Sequence, residues 1–375
     1  MPRITPRIRL RRPTKGASAF APRSATANRL SELQGVRDNP GNLTALHYVP
    51  EGLEAGAPLV VVLHGCTQDA AVYDHGSGWS QLADRHGFAL LFPEQKRANN
   101  PMLCFNWFSG NDSQRGMGEA ASIRSMIDAM KREHDVDPAQ VFVTGLSAGG
   151  AMASVMLATY PEVFAGGAIL AGVAYGCADN VGEAFECMGG RARSDGATLA
   201  GSVRRASPHK GPWPRVQVWT GSADNTVVPS NADAIVLQWA QLHGLEPRPG
   251  RVDTVEGHPR RAWLGADGRP LVEQYIITGM AHGVPLSARG EDAVGQAGAH
   301  MLEVGLSSTH HIAAFFGIVP EEGEEKVRAQ AKPPRQSERK PAAARRLEPE
   351  PVEQPAASGP QAVIEKALRA AGLMR

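Results

Sequence analysis

Val141-Phe142-Val143-Thr144-Gly145-Leu146-Ser147-Ala148-Gly149-Gly150 passes from an apolar, β-branched stretch through a glycine-flanked serine into a helical run rich in alanine and methionine, Ala148 to Tyr160. A serine hydroxyl is a poor nucleophile unless it stands exposed on a sharp turn with a base beside it. A strand that enters a tight turn and leaves as a helix gives that exposure, and flanking glycines let the turn close without Cβ clashes. The following helix aims its unpaired N–H groups and positive dipole end at the serine, where an oxyanion would form. Gly-x-Ser-x-Gly alone is short enough to arise by chance in a glycine-rich chain. The strand before Ser147 and the helix after it make Ser147 the candidate nucleophile.

Working outward, apolar strand runs alternate with helical runs. Leu43 to Val49 reads as an early strand and a candidate antiparallel edge. Pro58 to Leu63, Phe88 to Phe92, Gly167 to Val173, Val216 to Thr220 and Val272 to Thr278 read as buried strands. Trp79 to His86, Glu119 to His134, Asn231 to His243 (with Asn231 as N-cap) and Thr309 to Phe316 read as helices. This alternation predicts an α/β fold, a mostly parallel central sheet with helices on both faces. Active groups are then expected at the carboxyl ends of the strands.

The chain has 375 residues and a formal net charge of +1, so no whole-protein field points to nucleic acid. The charge is uneven: residues 1–31 hold Arg3, Arg7, Arg9, Arg11, Arg12, Lys15, Arg23 and Arg29 and no acid. Residues 1–38 are expected to form a basic flexible arm and 39–318 the catalytic domain. Residues 319–360, rich in Pro, Glu and Arg, are expected to be disordered, and 361–375 to form a short amphipathic helix that needs a docking surface. No transmembrane segment is expected, because no stretch reaches the roughly 18–20 apolar residues of a span. No apolar h-region follows the basic N-terminus, so no Sec signal is visible. Cys66, Cys104, Cys177 and Cys187 lack metal-ligand spacing, and no metal is expected. Composition leaves open whether they are buried thiols or two disulfides.

A nucleophilic serine needs a histidine, and the histidine needs a carboxylate to fix its tautomer. With a strand–serine–helix elbow the chain order is Ser, then Asp or Glu, then His. Asp224, in Gly221-Ser222-Ala223-Asp224-Asn225-Thr226-Val227, follows one buried strand; a plain turn aspartate is the alternative. His282, in Gly279-Met280-Ala281-His282-Gly283, follows the next. His258, His300, His310 and His311 compete, but none sits directly beyond so clear a strand. Two backbone N–H groups are expected to hold the oxyanion. One is that of Ala148, and the other that of Cys66 in His64-Gly65-Cys66-Thr67-Gln68.

These motifs, with Cys104-Phe105-Asn106-Trp107-Phe108 and Asp137 to Gly150, occur in the order seen in poly(3-hydroxybutyrate) depolymerases. The chain resembles that family of esterases, which also holds feruloyl and acetylxylan esterases, over about residues 39–318. The resemblance implies an α/β-hydrolase fold, a Ser147–Asp224–His282 triad, no cofactor and hydrolysis of a carboxylic ester in a cleft open to polymer chains. It also implies an extracellular setting, against the missing signal, with cytoplasmic as the alternative. Thr220 stands where relatives often have histidine, and Ala281 where glycine is usual. Cys66 and Cys104 flank two of the shared motifs and are paired on that ground; Cys177 and Cys187 pair locally. Trp107 is a candidate substrate wall, with core packing as the alternative.

The leading expectation is a serine esterase acting through an acyl-enzyme on an ester, a polyester or an oligomer. Alternatives are a feruloyl or acetylxylan esterase, a peptidase of the same fold, and a catalytically silent protein that binds a polyester granule or a partner. No feature of the sequence sets the oligomeric state.

Overall fold

Leu59, Val61 and Leu63 point to one face of the sheet and Val60 and Val62 to the other, and all five are buried, as in a strand covered on both sides. The computed structural model describes residues 28–192, 195–290 and 293–320. Within these the strands are β1 (Ser31–Glu32), β2 (Thr44–Tyr48), β3 (Leu59–Leu63), β4 (Ala89–Glu94), β5 (Val141–Leu146), β6 (Gly166–Leu170), β7 (Arg215–Gly221), β8 (Arg251–Val255), β9 (His258–Leu264), β10 (Pro270–Ile277), β11 (Val284–Leu286) and β12 (Met301–Glu303). The helices are α1 (Ala70–Ser77), α2 (Trp79–His86), α3 (Gly110–Ser113), α4 (Gly118–Glu133), α5 (Ala148–Thr159), α6 (Val181–Met188), α7 (Gly196–Ala206), α8 (Ser230–His243) and α9 (Ser308–Phe316).

The main sheet runs β1-β2-β4-β3-β5-β6-β7-β10-β9-β8. From β4 to β10 all neighbours are parallel, and an antiparallel pair extends each side. The side chains of α4, α5, α7 and α8 pack on one face and those of α1, α2 and α9 on the other, giving two apolar cores. This is the α/β-hydrolase arrangement. Phe142 of β5 stacks on Phe316 of α9, with ring centroids 4.5 Å apart, and closes the second core.

Three differences from expectation have physical causes. β2 is antiparallel, but it is not the edge: β1 lies outside it. Ser31 and Glu32, expected in the basic arm, thus join the sheet. Leu30 and Leu33 are buried, and Arg29 pairs with Asp84 and lies over the Tyr48 ring. Two leucines among charged neighbours are too sparse a pattern to read as a strand. The hairpin β8–β9 was not expected either; its half-exposed residues and Pro259 hide the strand alternation. Asn231 is inside the first turn of α8, and its amide donates to the carbonyls of Met188 and Val228 instead of capping.

Cys66 is joined to Cys104 and Cys177 to Cys187, with Cα separations of 4.2 and 6.1 Å. The expected arm up to residue 27, the expected linker beyond 320 and the expected terminal helix lie outside the described residues.

A chain of residues 28–320 should unfold cooperatively at a thermal midpoint near that of the full chain. Beginning at residue 39 instead removes the burial of Leu30 and Leu33, about 3 kcal/mol or more. The midpoint should then fall by about 6 °C, measured by thermal denaturation. Equal midpoints for the two chains would return residues 28–38 to the arm.

Candidate active site

The turn at Ser147 depends on how near α5 comes to the sheet. A Cβ on Gly149 would lie 2.2 Å from the Leu63 carbonyl oxygen and one on Gly145 2.5 Å from the Gly149 backbone. One on Gly150 would lie 2.7 Å from the Leu170 oxygen. Only glycine allows this approach of backbone to backbone. The chain then has no room for a relaxed turn, and Ser147 takes φ 57° and ψ −118°. Such a conformation costs about 1–3 kcal/mol and persists only where its surroundings hold it. Here the Ser147 N–H donates to Leu170 O at 2.9 Å, and Ala151 N–H donates to Ser147 O at 2.8 Å. Every residue of α5 is buried, while Ser147 is partly exposed at its N-terminus.

Asp224 and His282 stand on the loops after β7 and β10. These neighbouring parallel strands deliver the two loops side by side. A Cβ on Gly221 would meet the Met280 carbonyl oxygen at 2.2 Å. Backbone bonds join the loops: Ser222 N–H to Ile277 O at 2.9 Å and Ala223 N–H to Met280 O at 3.0 Å. The Asp224 side chain has no exposed surface. Its Oδ1 accepts from Thr226 N–H at 2.8 Å and Val227 N–H at 2.9 Å, and its Oδ2 takes the Nδ1–H of His282 at 2.7 Å. A carboxylate can only accept, so the bond assigns the proton to Nδ1 and leaves a lone pair on Nε2. His300 is a second imidazole beside His282, with ring centroids 5.8 Å apart, and its Nδ1 lies 3.2 Å from His282 O.

Ser147 lines a small cavity with Cys66, Trp107, Ala148, Met188 and Val227. Val227 is also the residue whose amide holds Asp224. Among the described residues the Cys66 and Ala148 N–H groups have no hydrogen-bond partner. Trp107 lies in the core cluster of α4 and α5 and is also among the residues lining the cavity. The cavity has room for about 40 Å³, little more than one water. Thr220 is buried in β7. His258 opens β9, between β8 and β10, and accepts from Thr278 N–H at 3.2 Å. His310 and His311 lie within α9.

A buried polar network beneath Cys66 draws in residues with no expected role. His64 Nδ1–H donates to Gly65 O at 2.8 Å, and its Nε2 accepts from Gln95 N–H at 3.1 Å. Both nitrogens are committed as in a neutral ring, and burial pushes its pKa down to about 4. Gln95 Nε2 donates to Cys104 O and to Glu119, at 3.0 and 2.5 Å. Glu119 also accepts from Asn106 N–H and Nδ2–H, each at 2.8 Å. Burial pushes the Glu119 carboxyl up to about 8, against these donors, which pull it down. In the sequence Glu119 looks like an ordinary acid in the first turn of a helix, so no local signal marks it.

The model of the esterase PHB depolymerase family matches residues 43–257. Poly(3-hydroxyalkanoate) depolymerase C of Paucimonas lemoignei is 46% identical over 298 residues, which cover 79% of this chain and 72% of that protein. An acetylxylan esterase of Coprinopsis cinerea is 32% identical over 268 residues, covering 70% of this chain and 71% of that one. Among solved structures, an acetyl xylan esterase from Aspergillus awamori superposes with a TM-score of 0.66 at 25% identity, over 77% of this chain and 99% of its own.

His64 gives the site a sensitivity to acid. Its folded pKa lies below the ordinary 6.5, so its contribution to stability is whole above that pH and is lost as pH falls through about 4. Thermal midpoints measured from pH 7 to pH 4 should fall more steeply for the wild type than for His64→Gln, which cannot titrate. Parallel slopes would show that His64 does not limit acid stability.

Proposed function

We propose, since the chain belongs to the esterase PHB depolymerase family, that it hydrolyses carboxylic esters through an acyl-enzyme on Ser147, with His282 as general base and Asp224 as its orienting acid. The observation that carries this reading is the 2.7 Å bond from His282 Nδ1–H to a carboxylate buried on the adjacent loop. It leaves Nε2 as the basic nitrogen, on the loop after β10, three strands along the sheet from β5, which leads to the strained turn at Ser147.

In the first half-reaction Ser147 Oγ attacks the acyl carbonyl carbon, and its proton passes to His282 Nε2. The carbonyl oxygen becomes an oxyanion, and the Cys66 and Ala148 N–H groups donate to it. Among the described residues neither amide has a hydrogen-bond partner, and both residues line the same recess as the serine. The positive end of α5 adds to the stabilisation. Collapse of the tetrahedral intermediate breaks the ester C–O bond, and His282 gives its proton to the leaving alkoxide oxygen. A water then loses a proton to His282 and attacks the acyl-serine, and the acid is released with Ser147 restored. Asp224 stabilises the imidazolium in both halves and is not itself protonated. This chemistry needs neither metal nor organic cofactor.

The substrate class proposed is an aliphatic polyester or its oligomers, of the hydroxyalkanoate type named for the Paucimonas relative. The 46% identity to that depolymerase supports it. Acetylated xylan is the second reading, favoured by the acetylxylan esterase relatives and by a recess that admits a small acyl group.

Ser147→Ala and His282→Ala should each remove nearly all hydrolysis of a soluble ester, and Asp224→Asn should lower kcat about 10⁴-fold. Near-normal turnover by Ser147→Ala would end the acyl-enzyme mechanism. Comparing kcat/KM on a 3-hydroxybutyrate oligomer, an acetylated xylo-oligosaccharide and a feruloyl ester separates the substrate classes. The oligomer should lead by at least tenfold, and a lead for the acetylated sugar would move the enzyme to the second reading.

A further inference from the structure

Glu119 has no exposed surface, although it is an acid at the start of α4. Burying a carboxyl costs several kcal/mol unless its oxygens are well bonded. Its three bonds lead in two directions. Oε1 accepts from Gln95 Nε2–H and Asn106 Nδ2–H, and Oε2 accepts from Asn106 N–H.

The first branch reaches the oxyanion loop. With its side chain tied to Glu119 and to Cys104 O, Gln95 presents its own backbone N–H to His64 Nε2 at 3.1 Å. That bond leaves the other nitrogen to donate to Gly65 O at 2.8 Å. The Gly65 carbonyl and the Cys66 N–H belong to one planar trans peptide, so they point in opposite directions. Whatever holds Gly65 O therefore aims the Cys66 N–H. Gly65 is held on its other side too, where its N–H donates to Gln68 Oε1 at 2.9 Å. Cys104, whose carbonyl Gln95 also holds, is disulfide-bonded to Cys66. The second branch fixes Asn106 by its backbone and its side chain, and the next residue is Trp107, which walls the recess.

We propose that Glu119 is a positioning residue of the esterase: through Gln95 and His64 it sets the direction of the Cys66 N–H, and through Asn106 it sets the place of Trp107. The proposal rests on the assignment of Cys66 as an oxyanion donor. A leucine here would fill space but leave the Asn106 donors without an acceptor. A glutamine would keep the shape and turn an NH₂ group toward at least one donor. Because the oxyanion exists only near the transition state, a misaimed donor should act on kcat and spare KM.

The test uses the full chain, a soluble short-chain ester and a temperature well below each thermal midpoint. Glu119→Gln should lower kcat about 10- to 100-fold and leave KM within about twofold, since complete loss of one oxyanion donor costs about 10²–10³. A fluorophosphonate probe should still label Ser147 to completion. Gln95→Met, which cuts the first branch without touching Glu119, should show the same split. Wild-type kcat in folded Glu119→Gln overturns the proposal, as does a loss that appears in KM alone. Should Glu119→Gln not fold, wild-type kcat in Gln95→Met overturns it instead. Ser147→Ala is assayed alongside: activity there overturns the esterase mechanism and this proposal together, whereas an inactive Ser147→Ala with a fully active Glu119→Gln overturns the positioning role alone.

Discussion

The close contact between α5 and the sheet governs the structure around Ser147. Glycine at 145, 149 and 150 brings the helix backbone against the carbonyls of Leu63, His64 and Leu170, at distances where a single Cβ would collide. With the helix that near, the link from β5 to α5 is one residue long and left-handed. The strain falls on the serine, and the burial of α5 on both sides holds it there. An exposed hydroxyl at the positive end of a helix is thus a consequence of packing.

The other candidate groups are held in two ways. Asp224 and His282 come from adjacent parallel strands, and the missing Cβ at Gly221 lets their loops interlock. The Cys66 loop comes from the other side, after β3, and lies on a buried polar network. Donors fixed before substrate arrives need not reorganise as charge develops, which is where such sites gain most of their rate. The disulfide from Cys66 to Cys104 ties that loop covalently to the segment of Trp107.

The Cys66 loop is held from its buried side, where the committed imidazole of His64, the amide of Gln95 and the carboxyl of Glu119 are found.

Much of this was legible in the sequence. The β3, β5, β7 and β10 runs, the helix after Ser147 and the alternation that predicts an α/β sheet are all local patterns, because strands buried on both faces are mostly apolar, even where β7 and β10 carry the buried Gln217, Glu273 and Gln274. Ser147, Asp224 and His282 could be named as candidates because each follows such a strand directly, and parallel strands carry their loops to one end. What the sequence left open depends on distant partners. Leu30 and Leu33 count as core only once β1 finds β2, and β8 and β9 show only weak alternation because they are half exposed. Asn231 was read as a cap because its use, a bond to Met188 of α6, lies 43 residues away in the chain. Glu119 is the clearest case. A lone acid at the start of a helix has the same local signature whether it faces water or is buried under three donors. Only the tertiary fold, by bringing Gln95 and Asn106 to it and excluding solvent, gives that carboxyl its environment.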